Sequence, residues 1–157
     1  MPYWRLYYHL IWTTEGRQPL IRPEIEGQSY EAIRDKVTSL GGEAFEIGGT
    51  GDHVHLAVTI PPSISVARFA GEVKGASSFH VNHLPDNPHT LEWQRGYGVV
   101  SFRRDNLNQV VEYIRLQREH HASGELSPSL EECTGADAAK PTCVREAAAE
   151  YDPSPWG

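Results

Sequence analysis

The chain has 157 residues, of which 39% are hydrophobic and 22% charged, with a net charge of −7 from 14 Lys+Arg against 21 Asp+Glu. That length suits one compact domain and leaves no room for two independent enzymatic domains, and the composition excludes a largely disordered or fibrous chain. Averaged over the whole chain, the acidic balance argues against a nucleic-acid partner, because phosphate binding draws on clustered positive charge.

The predicted elements begin with residues 3–13, an unbroken aromatic and β-branched run that suits a strand buried on at least one face. Glu15 to Pro19 punctuates it. From Pro23 to Leu40 the apolar positions Ile25, Tyr30, Ile33, Val37 and Leu40 fit a helix stopped by Gly41-Gly42. Residues 43–48 and 53–60 read as two strands joined by a glycine turn, a hairpin that ends at Pro61-Pro62. Ser63 or Ser65 caps a second helix carrying Val66, Phe69, Ala70, Val73 and Phe79. Residues 91–104 read as loop into strand. A third helix then starts at Asp105 or Asn106 and runs to about His121, with Leu107, Val110, Val111 and Ile114 as its stripe and Ala122-Ser123-Gly124 as its stop. The order β-α-β-β-α-β-α predicts a small α+β domain, an antiparallel sheet with helices packed on it, over residues 1–122. Residues 123–157 read as an acidic, flexible tail rich in Ser, Pro, Ala, Glu and Asp.

The charge is uneven. Residues 1–121 hold 12 Lys+Arg and 14 Asp+Glu, whereas the rest holds Lys140 and Arg145 against seven acids. The objection to nucleic acid therefore belongs mostly to the tail. No run of 18 apolar residues and no apolar leader is present, so a cytoplasmic protein is expected. Cys133 and Cys143, ten apart, have neither metal-site nor secreted-disulfide spacing.

His53-Val54-His55 carries the first chemistry. Residues two apart on a strand share a face, so both imidazoles can reach one metal ion while Val54 faces the core; a further ligand is then needed. In the third helix Tyr113 and Gln117, four apart, project from one face. If that helix packs on the histidine face, Gln117 supplies an oxygen ligand and Tyr113 points its hydroxyl at a group bound on the metal. Asp52 is either a turn residue or a group that orients the pair from behind. His120 and His121 read as helix-end cations ahead of metal ligands, and His9 as a structural or DNA-facing residue.

Together these segments resemble the HUH superfamily of single-strand nucleases, and within it the single-tyrosine transposases of the smallest bacterial and archaeal insertion sequences. The likeness covers about residues 3–121. It rests on Tyr8-His9-Leu10-Ile11-Trp12-Thr13-Thr14, Gly51-Asp52-His53-Val54-His55-Leu56, Pro61-Pro62-Ser63-Ile64-Ser65, Lys74-Gly75-Ala76-Ser77-Ser78, Trp93-Gln94-Arg95-Gly96-Tyr97-Gly98 and Val111-Glu112-Tyr113-Ile114, with Gln117.

The resemblance implies a ferredoxin-like or RRM-like sheet and an enzyme that cuts and rejoins single-stranded DNA at imperfect hairpins. Tyr113 would be the nucleophile of a 5′-phosphotyrosine, with His53, His55 and Gln117 holding Mg²⁺ or Mn²⁺. It also implies a homodimer whose subunits share active sites. Imidazole donors taken alone suit a softer ion such as zinc.

Lys74, Arg95, Arg68, Arg103, Arg104 and Trp93 are the DNA-binding candidates, with Arg5, Arg17, Tyr3, Trp4 and Tyr97 behind them, because guanidinium groups bind phosphates and aromatic faces stack on unpaired bases. Three readings remain open: an active transposase or a chromosomal relative processing palindromic hairpins, a non-catalytic hairpin-binding protein, and a hydrolase that uses water at His53 and His55. The tail's acidity fits either a groove-covering segment or a salt-rich cytoplasm.

Overall fold

A computed structural model describes residues 2–87 and 90–132. Four strands, β1 (Tyr7–Thr13), β2 (Glu43–Gly49), β3 (His53–Thr59) and β4 (Gly98–Phe102), form one antiparallel sheet in the order β2-β3-β1-β4. β1 and β3 hold the centre because they are the two unbroken apolar runs, and every residue of β3 is buried. Their register sets Ile11 against His55, Trp12 against Val54 and Thr13 against His53.

Alternation divides the sheet into two faces. Leu10, Trp12, Val54, Leu56 and Val58 lie in the main core with Ile25, Ile33 and Val37 of α1 (Pro23–Ser39) and Phe69, Val73 and Val81 of α2 (Val66–Asn82). Ser65 caps α2, its hydroxyl accepting from the Arg68 amide at 3.1 Å. The opposite face carries His9, His53, His55 and Ala57. Val110 and Ile114 of α3 (Leu107–Arg115) close over Ala57 in a second, smaller core. Gly48 permits this close seat, since a Cβ there would stand 2.5 Å from the Ile114 carbonyl oxygen.

The structure departs from expectation in three places. β1 starts at Tyr7 rather than Tyr3, whose side chain is exposed. The third helix is two helices: Leu116 leaves helical geometry (φ −97°, ψ 21°), and α4 (Gln117–Ser123) follows it. At the break, the Tyr113 carbonyl accepts from the Gln117 side-chain amide at 3.3 Å. Ion pairs anchor both sides of it, Arg115 to Glu46 of β2 and Arg118 to Glu26 of α1.

The third departure concerns the boundary expected at residue 122, which falls within packed structure. Gly124 ends α4 in the left-handed region (φ 77°), and α5 (Pro128–Glu131) packs on β4 and β1. A Cβ at Gly98 would overlap the Glu132 carbonyl, so glycine is what lets this segment lie against β4. Cys133, Cys143 and the acidic stretch beyond lie outside the described residues. No helix among the described residues is long and apolar enough to cross a membrane.

Candidate active site

His53 and His55 are 1% and 0% exposed. Each is held from behind through Nδ1. His53 Nδ1 lies 2.7 Å from Asp52 Oδ1 and 2.9 Å from Thr50 Oγ1, and Thr50 also donates to Asp52 Oδ1 at 2.9 Å. Burial works against the Asp52 carboxylate, but hydrogen bonds from His53 and Thr50 outweigh it and hold its pKa below the usual range. His55 Nδ1 lies 2.8 Å from Nε2 of His9, which sits on the same face of β1. Burial, with the neighbouring His55 adding to it, lowers His9 to a pKa of about 3, so it is neutral. Burial also pushes His55 down, against the pull of Glu131. Both Nε2 atoms therefore turn toward the same space, and that of His55 is buried with no hydrogen-bond partner among the described residues, its near neighbour being Glu131 Oε1 at 3.4 Å.

The helices bring the remaining groups. Gln117 Oε1 lies 3.1 Å from His53 Nε2 and 3.1 Å from His121 Nε2, and those two nitrogens are themselves 3.1 Å apart. Tyr113 donates its hydroxyl to Glu131 Oε1 at 2.6 Å and accepts from the Ser127 amide at 2.9 Å. Its ring stacks on His120 at 4.7 Å and meets His55 edge-on at 5.9 Å. Burial, reinforced by the bond to Glu131, raises the Tyr113 pKa. Burial opposes the Glu131 carboxylate, yet the neighbouring His55, 3.4 Å away, and the hydrogen bond from Tyr113 prevail and hold it at about 2.

The four residues Tyr113, His53, His55 and Gln117 thus come together within one chain. Three neighbours are not singled out as ligands or orienting groups from the sequence. His121 faces the site rather than simply ending a helix; its spacing of four from Gln117 was the available signal. His9 orients His55, and the same alternation that pairs His53 with His55 sets it on their face. Glu131 has no local signal, since a chain reversal at Gly124 brings it in. His53, His55, His121 and Glu131 each offer a donor atom within 4.8 Å of the others, a set that fits one divalent cation.

The DNA candidates divide. Lys74 spends its ammonium on the carbonyls of Gln94 and Gly96, each at 2.7 Å, and so clamps the loop that carries Arg95. Trp93 packs edge-on against Trp12 and donates to the Lys74 carbonyl at 3.0 Å and the Ser77 hydroxyl at 3.1 Å, which is a core role rather than an open stacking face. Arg103 pairs with Asp105 at 3.4 Å, and Arg17 with Asp52 at 3.9 Å. Arg68, Arg95 and Arg104 are exposed. A groove of about 530 Å³ runs beside Tyr113, lined by Ser101, Asn106, Gln109, Ser127 and Ser129 among others.

Residues 2–117 match the protein family described as Transposase IS200 like. Two curated relatives, the transposases for insertion sequence element IS200 of Salmonella typhimurium and Salmonella typhi, are 28% identical over 127 residues, covering 78% of this chain and 83% of each relative. Among solved structures, a chain assigned as a transposase from Deinococcus radiodurans R1 is 26% identical with a TM-score of 0.55, covering 74% of this chain and 95% of that one. A REP-associated tyrosine transposase bound to a REP hairpin shares the fold, with a TM-score of 0.56 at 16% identity over 80% of this chain and 76% of that one.

Proposed function

The chain belongs to the IS200-like transposase family, and from that premise we propose that it cuts and rejoins single-stranded DNA at imperfect hairpins through a covalent bond to Tyr113. The observation that carries this reading is the convergence, in one chain, of the Tyr113 hydroxyl with His53, His55 and Gln117. The Tyr113 ring stacks on His120 and meets His55 edge-on, and its hydroxyl donates to Glu131, whose same oxygen lies 3.4 Å from His55 Nε2.

The Tyr113 oxygen attacks the scissile phosphorus. A Tyr–O–P bond forms at the 5′ side, the P–O3′ bond breaks, and the 3′ oxygen leaves as a hydroxyl with the proton that the tyrosine gives up. Because a phosphodiester is exchanged for a phosphodiester, an incoming 3′-hydroxyl reverses the step and reseals a strand with no nucleotide consumed. His53, His55 and Gln117 would hold Mg²⁺ or Mn²⁺, which when bound supplies Lewis-acid help at the phosphate. Asp52 and His9 fix the two imidazoles so that both Nε2 atoms stay aimed at one point. The groove beside Tyr113 suits an unpaired strand, and Arg95, Arg68, Arg103 and Arg104 are the proposed phosphate contacts. Lys74 and Trp93 serve by holding the Arg95 loop. The reaction belongs in the cytoplasm, where the DNA is.

Incubation with a single-stranded hairpin oligonucleotide and Mg²⁺ or Mn²⁺ should yield a protein–DNA adduct that survives denaturation and disappears in Tyr113→Phe. Binding without cleavage would instead identify a hairpin-binding protein, and cleavage that survives Tyr113→Phe a water-using hydrolase. Whether the native element is a mobile insertion sequence or a chromosomal hairpin processor is decided by palindromes in the flanking DNA. The proposed homodimer is tested by mixing Tyr113→Phe with His55→Ala. Recovered cleavage means that subunits share sites, and no recovery means that each site is complete within its own chain.

A further inference from the structure

We propose that Glu131 is the general base of the reaction, taking the proton from the Tyr113 hydroxyl as the phenol oxygen bonds to phosphorus. This role rests on the reading of Tyr113 as nucleophile and adds the group that activates it. Glu131 lies beyond the family-matched residues 2–117, on the one-turn helix α5 in the segment that covers Tyr113.

A phenol has a reference pKa near 10 and keeps its proton at neutral pH, so attack on phosphorus needs an acceptor for that proton. Glu112, the acidic neighbour in sequence, is exposed. The Tyr113 hydroxyl donates instead to Glu131 Oε1 at 2.6 Å, the short contact of a charge-assisted O–H···O⁻ bond. The same phenol oxygen accepts from the Ser127 amide at 2.9 Å, so a donor already faces the atom that gains negative charge as the proton departs. Acceptor and donor belong to one unit, because the Glu131 amide donates to the Ser127 carbonyl at 3.1 Å within the turn of α5. The carboxylate is 17% exposed, and its shielding from water strengthens its pull on the proton. His121 Nε2 flanks the other carboxylate oxygen at 3.7 Å. A hydroxyl bonded to a base that a third group flanks is the arrangement of an activated nucleophile.

As the Tyr113 O–P bond forms and the P–O3′ bond breaks, the hydroxyl proton moves to Glu131 and then passes through water to the departing 3′ oxygen. Resealing runs the same path backwards. The incoming 3′-hydroxyl gives up its proton through water to Glu131, which returns it to the tyrosine as the Tyr–O–P bond breaks. The groove beside Tyr113 is lined by Ser127 and Ser129 of the same segment, so a strand lying in it reaches the hydroxyl next to the base. His53, His55 and Gln117 keep the ion in this scheme, which leaves the Glu131 carboxylate to the proton.

The test is single-turnover adduct formation by the full chain on the hairpin oligonucleotide with Mn²⁺. Glu131→Gln keeps the shape and an oxygen to receive the hydroxyl but cannot take its proton, and it should slow the adduct by about 10²- to 10⁴-fold. Glu131→Asp should recover part of the rate. The discriminating variant carries 3,5-difluorotyrosine in place of Tyr113, a more acidic phenol that needs little help to ionise. In that background Glu131→Gln should cost less than about tenfold, a rescue that loss of packing or of a contact to the ion would not show. A parent-like rate in Glu131→Gln would overturn the assignment, and a faster one would mark the carboxylate as a restraint on the hydroxyl. An equal loss with tyrosine and with difluorotyrosine would also overturn it. No adduct from the parent, or one that survives Tyr113→Phe, refutes the nucleophile itself, an outcome distinct from a Tyr113-dependent adduct that is indifferent to Glu131.

Discussion

Replacing Gly48 by alanine tests how α3 is seated on the sheet, and through it the placement of the nucleophile. The new Cβ would stand 2.5 Å from the Ile114 carbonyl oxygen and 3.0 Å from Ile114 Cγ2. Ordinary carbon contacts lie at about 3.5–4.0 Å, so the helix must withdraw by roughly 1 Å. Ile114 follows Tyr113 directly, and Gln117 starts the next helix, so the displacement passes to both. A misplacement of about 1 Å in an oriented reaction costs about 10²-fold in rate, or about 2.7 kcal/mol of barrier. Overpacking of this kind also destabilises by about 1–3 kcal/mol.

The control is Gly27→Ala in α1, which is exposed and where a new Cβ meets no other part of the described residues within 4 Å. There the identical change should stabilise by about 0.5–1 kcal/mol, since alanine is the better helix former, and leave the rate alone. Single-turnover adduct formation on a hairpin oligonucleotide and thermal denaturation read the two effects. If Gly48→Ala forms adduct within twofold of the parent rate, the link from β2 through Ile114 to Tyr113 is wrong, whatever happens to the melting temperature.

Other expectations concern the groups behind the histidines, the covering segment and the surface. Asp52→Asn should weaken divalent-ion binding about tenfold without unfolding the protein, because the His53 tautomer loses its carboxylate partner; calorimetric titration with Mn²⁺ or Co²⁺ measures it, and full affinity would refute the orienting role. The Glu131 pKa is depressed from 4.5 to about 2, so its hold on residues 125–132 is fully present above pH about 4.5 and fades as pH falls toward 2. Hydrogen-exchange protection of the Ser127 amide in the metal-free chain should fall across that window, and a flat protection factor would contradict it. Arg95→Ala should lower hairpin affinity and reduce the slope of log affinity against log salt by about 0.7, the value for one single-strand phosphate contact; an unchanged slope removes Arg95 from the interface.

Much of the site was legible because two simple periodicities carry it. Alternation on β3 sets His53 and His55 on one face, and a spacing of four sets Tyr113 near Gln117 even though the helix breaks between them. The same rules reach His9 on β1 and His121 beside Gln117, but without a partner strand or a bound ion neither residue stands out from a packed or terminal histidine. Glu131 was out of reach for a physical reason. Its position depends on the reversal at Gly124 and on the bare backbone of Gly98, two long-range facts that leave no local pattern. Lys74 and Trp93 show the converse error, for a lysine and a tryptophan beside a basic loop look like nucleic-acid contacts until the carbonyls and the indole that they serve are seen.

The ion pairs that straddle the helix break have a bearing on how this acidic chain meets a polyanion. Arg115 and Arg118 are engaged by Glu46 and Glu26, Arg103 by Asp105, and Arg17 by Asp52. A strand arriving at Arg103, a proposed phosphate contact, competes with the carboxylate of Asp105, so added salt acts twice, screening the phosphate while it loosens the internal rival. Affinity should therefore fall with ionic strength more gently than the number of arginines suggests, and the enzyme would keep its grip in concentrated electrolyte where a more basic binding surface would let go.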